Sequence, residues 1–316
     1  MVVDAIIRRR NDAMDNVCHT LVGAAFGEAG LKHRTRFGSA TLMIAANLPD
    51  LDVLVFATSV PSVAFRRGWT HGILAQLLLP IALTAVMLVV GRFRPASEDR
   101  TPLCTGTLVL LSYIGVLSHV GLDLLNTYGI RLLMPFDGRW FYGDAVFIVD
   151  PWLWITLSAG VWFARRRRLP AIARRALIVA VVYISAMSMT ASLAHDVAHN
   201  AWRTVHGVEP QSLMVGPVAV TPLRRQVIVD AGTHYETGTL EWFPFRVTFD
   251  AETVPKHDGD LRVIKAREST HIRGFLAWSR FPFWVFEDTP DGTRVTISDM
   301  RFAGRGRPFI QTVVVP

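Results

Sequence analysis

The sequence predicts a membrane-embedded all-α bundle of about six helices, followed by a C-terminal soluble α+β domain. Three observations lead to this fold class. Of the 316 residues, 51% are hydrophobic and only 19% are charged, whereas soluble globular chains carry about 25% charged residues. The apolar residues are grouped in long runs over the first two thirds of the chain. After about residue 205 they alternate with polar residues instead, as in half-buried strands.

The helical bundle is predicted from six apolar runs. Runs of about 17–25 residues are long enough to cross the hydrocarbon core as helices. Five of the six have this length, whereas the first is short for a span. In chain order the runs cover residues 17–29, 39–60, 73–90, 103–125, 145–164 and 176–194.

The C-terminal domain is predicted over residues 205–316. Its alternating segments at 225–230, 245–249 and 293–298 indicate strands. Turn signals such as Asp258-Gly259 and Asp291-Gly292 lie between them. The segment 260–279 is predicted to form one amphipathic helix.

The cysteines and the net charge do not favour a disulfide-rich, zinc-finger or nucleic-acid-binding protein. We assign the transmembrane domain to residues 14–200 and interpret 1–13 as a non-native extension ahead of a start at Met14. Cys18 and Cys104 lie in different apolar runs, which is not a disulfide or zinc pattern. The net charge of +7 comes largely from arginines in loops beside apolar runs. Such loops are typical of membrane proteins, so we expect no nucleic-acid partner.

The distribution of basic residues predicts the orientation in the membrane. If all six runs span, the loops 30–38, 92–102 and 165–175 share one side and carry the larger number of Lys and Arg residues. Cytoplasmic loops carry this excess. The loops 61–70 and 126–144 and the C-terminal domain are therefore expected on the outer side.

Ionisable residues inside the apolar runs fall at one depth, near the outer side. Such residues are costly in a bilayer unless they are paired or metal-bound, and they mark functional sites. Asp144 and Asp150 lie at the same depth, where the fifth run begins. The others are His19, Asp50, Asp52, His71, His119 and Asp123.

Histidine and aspartate together are the ligands of a divalent cation such as Zn²⁺ or Mn²⁺. His119 and Asp123 are four residues apart, on one face of a helix. Pro49 should open the second helix, so that Asp50 and Asp52 can both turn toward the site. The alternative interpretations are a cap or turn for the two aspartates and a buried hydrogen-bonded pair for His119 and Asp123.

An ordered series of motifs resembles the YdjM family, a group of bacterial inner-membrane proteins regarded as metal-dependent hydrolases. The likeness extends over about residues 14–200. It implies a multi-pass protein of the inner membrane, and with the orientation above it places the site and the C-terminal domain in the periplasm. The motifs are Met14-Asp-Asn-Val-Cys-His19, Asn47-Leu-Pro-Asp-Leu-Asp52, Gly68-Trp-Thr-His-Gly72, Ser118-His-Val-Gly-Leu-Asp123, Asn126-Thr-Tyr-Gly129 and Val146-Phe-Ile-Val-Asp-Pro151.

The order of these residues is also distantly similar to that in zinc-dependent phospholipase C and S1/P1 nuclease, which hydrolyse phosphate esters with a cluster of zinc ions. The chain departs from those enzymes because no free amine accompanies His19 and their third ligand set has no clear match. The resemblance implies one to three divalent ions, Zn²⁺ first and Mn²⁺ as the alternative. It assigns one ion to His71, His119, Asp123 and either Asp50 or Asp52, with Asp123 bridging to a second ion at His19.

The function predicted from these residues is hydrolysis of a phosphate ester by metal-activated water, on a membrane lipid or lipid-linked substrate. Asp52 is predicted to accept the proton, with Asp150 as a further catalytic or orienting carboxylate. Arg66 and Arg67 are predicted to bind the anionic head group. The alternatives are a metal-binding scaffold and a transporter. The role of His195 and His199 and the oligomeric state stay open.

Overall fold

The structure is a computed structural model that describes residues 15–94, 101–303 and 309–316. The proposed N-terminal extension, 1–13, and Met14 lie outside the described residues. The chain divides into two compact units. One takes in the chain up to Leu54 together with Arg67–Ser188, and the other consists of Val55–Arg66 and Met189–Pro316.

Helices dominate the described part of the first unit. Asp15 begins the first helix by accepting a hydrogen bond from the Cys18 amide at 2.9 Å. Asp150 does the same for the helix that starts at Pro151, at 3.0 Å from the Trp152 amide. The helices are α1 (Asn16–Glu28), α2 (Gly38–Ala45), α4 (Ile73–Phe93), α5 (Thr105–Leu124) and α6 (Pro151–Arg167); α7 (Pro170–His206) starts in this unit and ends in the second.

The described residues contain three helices that are long and apolar enough to cross a membrane, namely α4, α5 and α7. A fourth span results if α2 and the 3₁₀ segment Leu48–Ala57, bent by 50°, are taken as one. The break that was predicted at Pro49 is therefore present, and it starts just before the proline.

The other two predicted spans are not among these candidates. Helix α1 has 13 residues, about 20 Å at 1.5 Å per residue. Helix α6 has 17 residues and starts at Pro151, so the fifth apolar run does not begin its helix at residue 145. The chain from Asn126 to Asp150 is irregular apart from a bridge between Ile130 and Phe141. The count of six spans is accordingly reduced to three or four by length and composition.

The second unit contains two antiparallel sheets, which confirms the β content predicted for the C-terminal region. The first sheet has the order β1-β2-β3-β4 and the second the order β5-β6-β7. The predicted helix over 260–279 is instead two short helices, α8 (Leu261–Ala266) and α9 (Thr270–Trp278). The strands are β1 (Ser212–Pro217), β2 (Arg224–Asp230), β3 (His234–Trp242), β4 (Phe245–Pro255), β5 (Pro282–Thr289), β6 (Gly292–Asp299) and β7 (Ile310–Val315).

The end of α7 packs on the first sheet of this unit. Ala194, Ala198 and Trp202 lie in one buried cluster with side chains of β1, β2 and β3, including Leu213 and Val227. The second unit also includes the short helix α3 (Ser62–Phe65), which belongs to the segment between the 3₁₀ segment and α4.

Candidate metal centre

Four side chains of the first unit converge on one point: Asp50, His71, His119 and Asp123. Each offers one ligand atom, and these atoms all lie within 4.8 Å of one another. None of the four residues exposes more than 3% of its surface. They come from the 3₁₀ segment, the turn before α4 and helix α5, so three separate elements build the group.

The spacing within this group suits a small divalent ion. Nε2 of His71 lies 3.1 Å from Nε2 of His119 and 3.2 Å from Oδ2 of Asp123. Nε2 of His119 lies 3.4 Å from Oδ1 of Asp50 and 3.6 Å from Oδ2 of Asp123. Four ligands at about 2.1 Å from a tetrahedral zinc ion are about 3.4 Å from one another. The residues present therefore fit such an ion.

The ring of His119 is held by a backbone carbonyl. Its Nδ1 lies 2.8 Å from the carbonyl oxygen of Ala46. Because a carbonyl only accepts, Nδ1 of the neutral ring carries the proton, and Nε2 presents a lone pair to the cluster. Close packing makes this contact possible, since a Cβ on Gly115 of α5 would overlap Ala45.

The ring of His71 is held by Thr70, which is itself hydrogen-bonded to Asp52. The hydroxyl of Thr70 donates to Oδ2 of Asp52 at 3.2 Å and lies 3.0 Å from Nδ1 of His71. With its one proton given to the carboxylate, this hydroxyl accepts from Nδ1–H. Nε2 of His71 then also turns a lone pair toward the cluster. Asp52 thus lies behind a possible ligand, the arrangement common around metal-binding histidines.

The charges of the cluster favour a cation. Asp50 and Asp123 are both buried carboxylates, and Arg67 pairs with Asp123. Both oxygens of Asp50 are buried and accept no hydrogen bond from the described residues. A buried carboxylate in this state is very costly unless a proton or a metal ion meets it.

Arg67 holds Asp123 from the other side. Its guanidinium donates to Oδ1 of Asp123 and to Oδ1 of Asn126, both at 2.9 Å. It also lies over the ring of Tyr128, 4.7 Å from the centroid. The backbone of Arg67 has a φ of 53°, in the left-handed region that non-glycine residues seldom occupy. In this conformation its amide donates to Oδ2 of Asp52 at 2.7 Å. Strain of this kind often marks a functional site.

His19 lies beside the converging group and is not a member of it. Its Nε2 is 3.5 Å from Oδ1 of Asp123, and its ring stacks on His119 with centroids 3.8 Å apart. Nδ1 of His19 is buried with no hydrogen bond from the described residues. His19, Asp123 and Asp150 help to line a cavity of about 20 Å³, which is room for a single water molecule.

The other predicted site residues have different surroundings. Asp150 caps α6 with Oδ1 and accepts from the hydroxyl of Tyr183 with Oδ2, at 2.9 Å. Arg66 is a buried member of the second unit, with its guanidinium 5.2 Å from the ring of Phe56. His199 pairs with Glu209 at 2.9 Å, also in the second unit. The proposed catalytic role of Asp150 and the substrate contact of Arg66 stay predictions.

Two supporting residues, Thr70 and Asn126, received no role in the sequence analysis. Both stood within the quoted motifs, Thr70 directly before His71 and Asn126 three residues after Asp123. A hydroxyl or amide next to a candidate ligand is the signal that points to such a residue. The carbonyl of Ala46 leaves no sequence signal, because every residue has one.

The fold and the cluster define a membrane protein with several spans and a buried Asp/His site able to hold a metal ion. The chain belongs to the YdjM inner membrane protein family, whose sequence profile matches residues 14–192. This match confirms the predicted resemblance and assigns the chain to an inner-membrane family. The chain is also 23% identical to the uncharacterized protein YfhP of Bacillus subtilis (strain 168), over 95% of this chain and 90% of that protein. No solved structure matches the chain at a significant level.

Proposed function

We propose that this protein is a metal-dependent hydrolase of the inner membrane, acting on a phosphate ester of a lipid or lipid-linked substrate at the outer face. The observation that carries the proposal is the convergence of two imidazole lone pairs and two buried carboxylates on one point. The outer face is inferred from the excess of basic residues in the loops of the opposite side.

A divalent ion bound there supplies Lewis-acid chemistry, since it polarises a phosphoryl oxygen and lowers the pKa of water. His71, His119, Asp50 and Asp123 would hold it. Nitrogen and carboxylate ligands suit Zn²⁺ and also Mn²⁺. Asp52 acts in this proposal through Thr70 to orient His71, and Arg67 positions Asp123. Both amino groups of the Arg67 guanidinium have partners in the site. We therefore propose that Arg67 positions the metal ligand Asp123 and that other residues bind the substrate head group.

For the proton acceptor we propose His19. Its ring lines the cavity beside Asp123, and its Nδ1 accepts no hydrogen bond from the described residues. A neutral imidazole that donates from Nε2 to Asp123 keeps a lone pair on Nδ1, and such a nitrogen can act as a general base.

A non-catalytic metal site in a membrane scaffold is the second candidate, and one observation favours it. Four protein ligands complete a tetrahedral shell, as in structural zinc sites, whereas catalytic sites keep one position open. The depth of burial of all four residues is consistent with a closed shell.

Metal content and hydrolysis distinguish the two functions. Full-length protein purified in detergent is dialysed against Zn²⁺ or Mn²⁺, and bound metal is measured by mass spectrometry for the wild type, His119→Ala and Asp123→Ala. We expect both variants to lose the metal. His199→Ala is the matched control, because His199 pairs with Glu209 in the second unit, and it should keep the metal.

Hydrolysis is then measured with vesicles of phosphatidylglycerol and phosphatidylethanolamine and with bis(p-nitrophenyl) phosphate as a soluble reporter. Hydrolysis by the wild type and His199→Ala, and none by the two ligand variants, supports the hydrolase. Metal retained by His119→Ala or Asp123→Ala would overturn the ligand assignment. Stoichiometric metal without hydrolysis of any ester favours the scaffold, and Co²⁺ spectra of a four-coordinate ion would strengthen that conclusion.

A further inference from the structure

The segment Val55–Arg66 lies in the chain between the two halves of the metal centre. Asp50 and Asp52 stand just before it, and Arg67 and His71 just after it. The two ends meet in the first unit, where the Arg67 amide donates to Oδ2 of Asp52 at 2.7 Å. The segment is thus a loop whose stems carry two of the four possible ligands, together with the residues that orient them.

The loop itself is built into the second unit. It is closed by the guanidinium of Arg66, 5.2 Å from the ring of Phe56, so its first and last turns contact each other. Helix α3 within it packs on α9, where a Cβ on Gly274 would overlap the ring of Pro61 and lie 3.6 Å from Cβ of Ala64. Only a residue without a side chain allows this approach.

The loop also lines a cavity of about 270 Å³ on the same unit. Val55, Pro61 and Val63 of the loop form one wall, and His271 and Phe275 of α9 belong to the other. Close packing resists movement only where atoms fill the space. The cavity therefore does not hold the loop in place on this side. The Gly274–Pro61 contact therefore fixes the position of the loop on α9.

We propose that the C-terminal unit sets the geometry of the metal centre through this loop, with Gly274 and Pro61 as positioning residues. The inference rests on the metal binding proposed above. A displacement of the loop pulls on the Asp52–Arg67 hydrogen bond at its base. Asp52 orients His71 through Thr70, and Arg67 holds Asp123. A single movement of the loop thus affects two of the four ligands, His71 and Asp123.

A double-mutant cycle on the full-length protein tests the coupling. Zn²⁺ affinity is measured in detergent by competition with a chromophoric chelator for the wild type, Gly274→Ala, Pro61→Gly and the double variant. We expect Gly274→Ala to weaken Zn²⁺ binding about tenfold, the effect typical of residues that orient metal ligands. Since Pro61→Gly removes the overlapping ring, the double variant should bind Zn²⁺ as Pro61→Gly alone does.

Gly259→Ala is the matched control. Gly259 lies in the same unit, and no atom lies within 4 Å of the position that an added methyl group would take, so the substitution should leave the affinity unchanged. Near-UV circular dichroism checks that each variant keeps its tertiary packing. Equal Zn²⁺ affinities of the wild type and a folded Gly274→Ala variant would overturn the coupling.

Hydrogen exchange of the wild type provides a second measurement in case Gly274→Ala does not fold. Binding of Zn²⁺ should increase the protection of amides in 55–66, and unchanged protection would contradict the proposal. A wild type that binds no Zn²⁺ at all has a different meaning, because it overturns the metal site itself and not the connection to the C-terminal unit.

Discussion

Each unit of this protein contains a buried carboxylate, and the two carboxylates have opposite hydrogen-bond surroundings. In the second unit, Asp299 is fully buried and receives N–H and O–H donors on both oxygens: from the side chain and amide of Arg301, the amides of Arg280 and Phe281 and the hydroxyl of Ser279. In the first unit, Asp50 is also buried, but neither of its oxygens accepts a hydrogen bond from the described residues, and Nε2 of His119 lies 3.4 Å from its Oδ1.

The two carboxylates therefore have different roles: the charge of Asp299 is structural, whereas the charge of Asp50 is available to bind a cation. The donors around Asp299 lower the pKa of its carboxyl, chiefly through the guanidinium of Arg301, against the opposing effect of burial. Nothing further is needed to stabilise its charge. Around Asp50, no hydrogen bond from the described residues offsets the burial of the carboxylate, so its charge is one that a bound cation can neutralise. Both carboxylates are buried, and their hydrogen-bond partners distinguish them.

The largest effect on metal-dependent stability is expected for Asp50→Asn. Without metal the substitution removes an unpaired buried charge, so the thermal stability of chelator-treated protein should stay the same or rise. The wild type should gain about 2.7 kcal/mol when Zn²⁺ is present at 100 times its dissociation constant, and Asp50→Asn should gain nothing. Thermal unfolding in detergent, with and without Zn²⁺, measures both quantities.

The exposed Asp196 provides the control for removal of one carboxylate. Asp196→Asn should show the same Zn²⁺-dependent gain as the wild type. Destabilisation of the chelator-treated protein by Asp50→Asn would show that this carboxylate is paired in the metal-free state, and the contrast with Asp299 would then fail.

The largest effect on stability in the absence of metal is expected for Asp299→Ala. The substitution leaves the buried guanidinium of Arg301 without its partner, and breaking a buried pair from one side costs about 3–5 kcal/mol. The lowered pKa sets the pH dependence. The contribution of Asp299 is present above its ordinary pKa of 3.8 and is lost as the pH falls toward the folded-state value. The difference between variant and wild type should therefore shrink below about pH 4.

Chemical denaturation followed by tryptophan fluorescence at pH 7 and pH 3 measures this difference in the free energy of unfolding. Glu252→Ala, an exposed change on β4, should have little effect at either pH. A loss of the same size at both pH values would show that Asp299 stabilises the unit by packing and not through its charge.

Much of the metal cluster could be predicted from the sequence, and the rest depends on contacts that leave no pattern. His119 and Asp123 share a helix face, so their spacing alone placed them together. Asp50 and Asp52 are two residues apart, and their roles differ because one points into the cluster and the other reaches Thr70. That choice depends on the bend before Pro49. The span at α6 was overestimated because an apolar run such as 145–164 can begin in irregular chain ahead of its helix.

The smallest effect is expected for Gly115→Ala, which tests the support of a ligand and leaves the ligand intact. A methyl group at this position of α5 would overlap Ala45 and come within 2.9 Å of the Ala46 amide nitrogen. It should push away the carbonyl that fixes His119, and loss of such an orienting contact weakens metal binding about tenfold. Gly121→Ala, on the same helix with no atom within 4 Å of the added carbon, is the control. Chelator competition measures both affinities. If the two variants bind Zn²⁺ equally well, the Ala46 carbonyl does not set the tautomer of His119. The lone pair that Nε2 of His119 presents to the metal site must then have another cause.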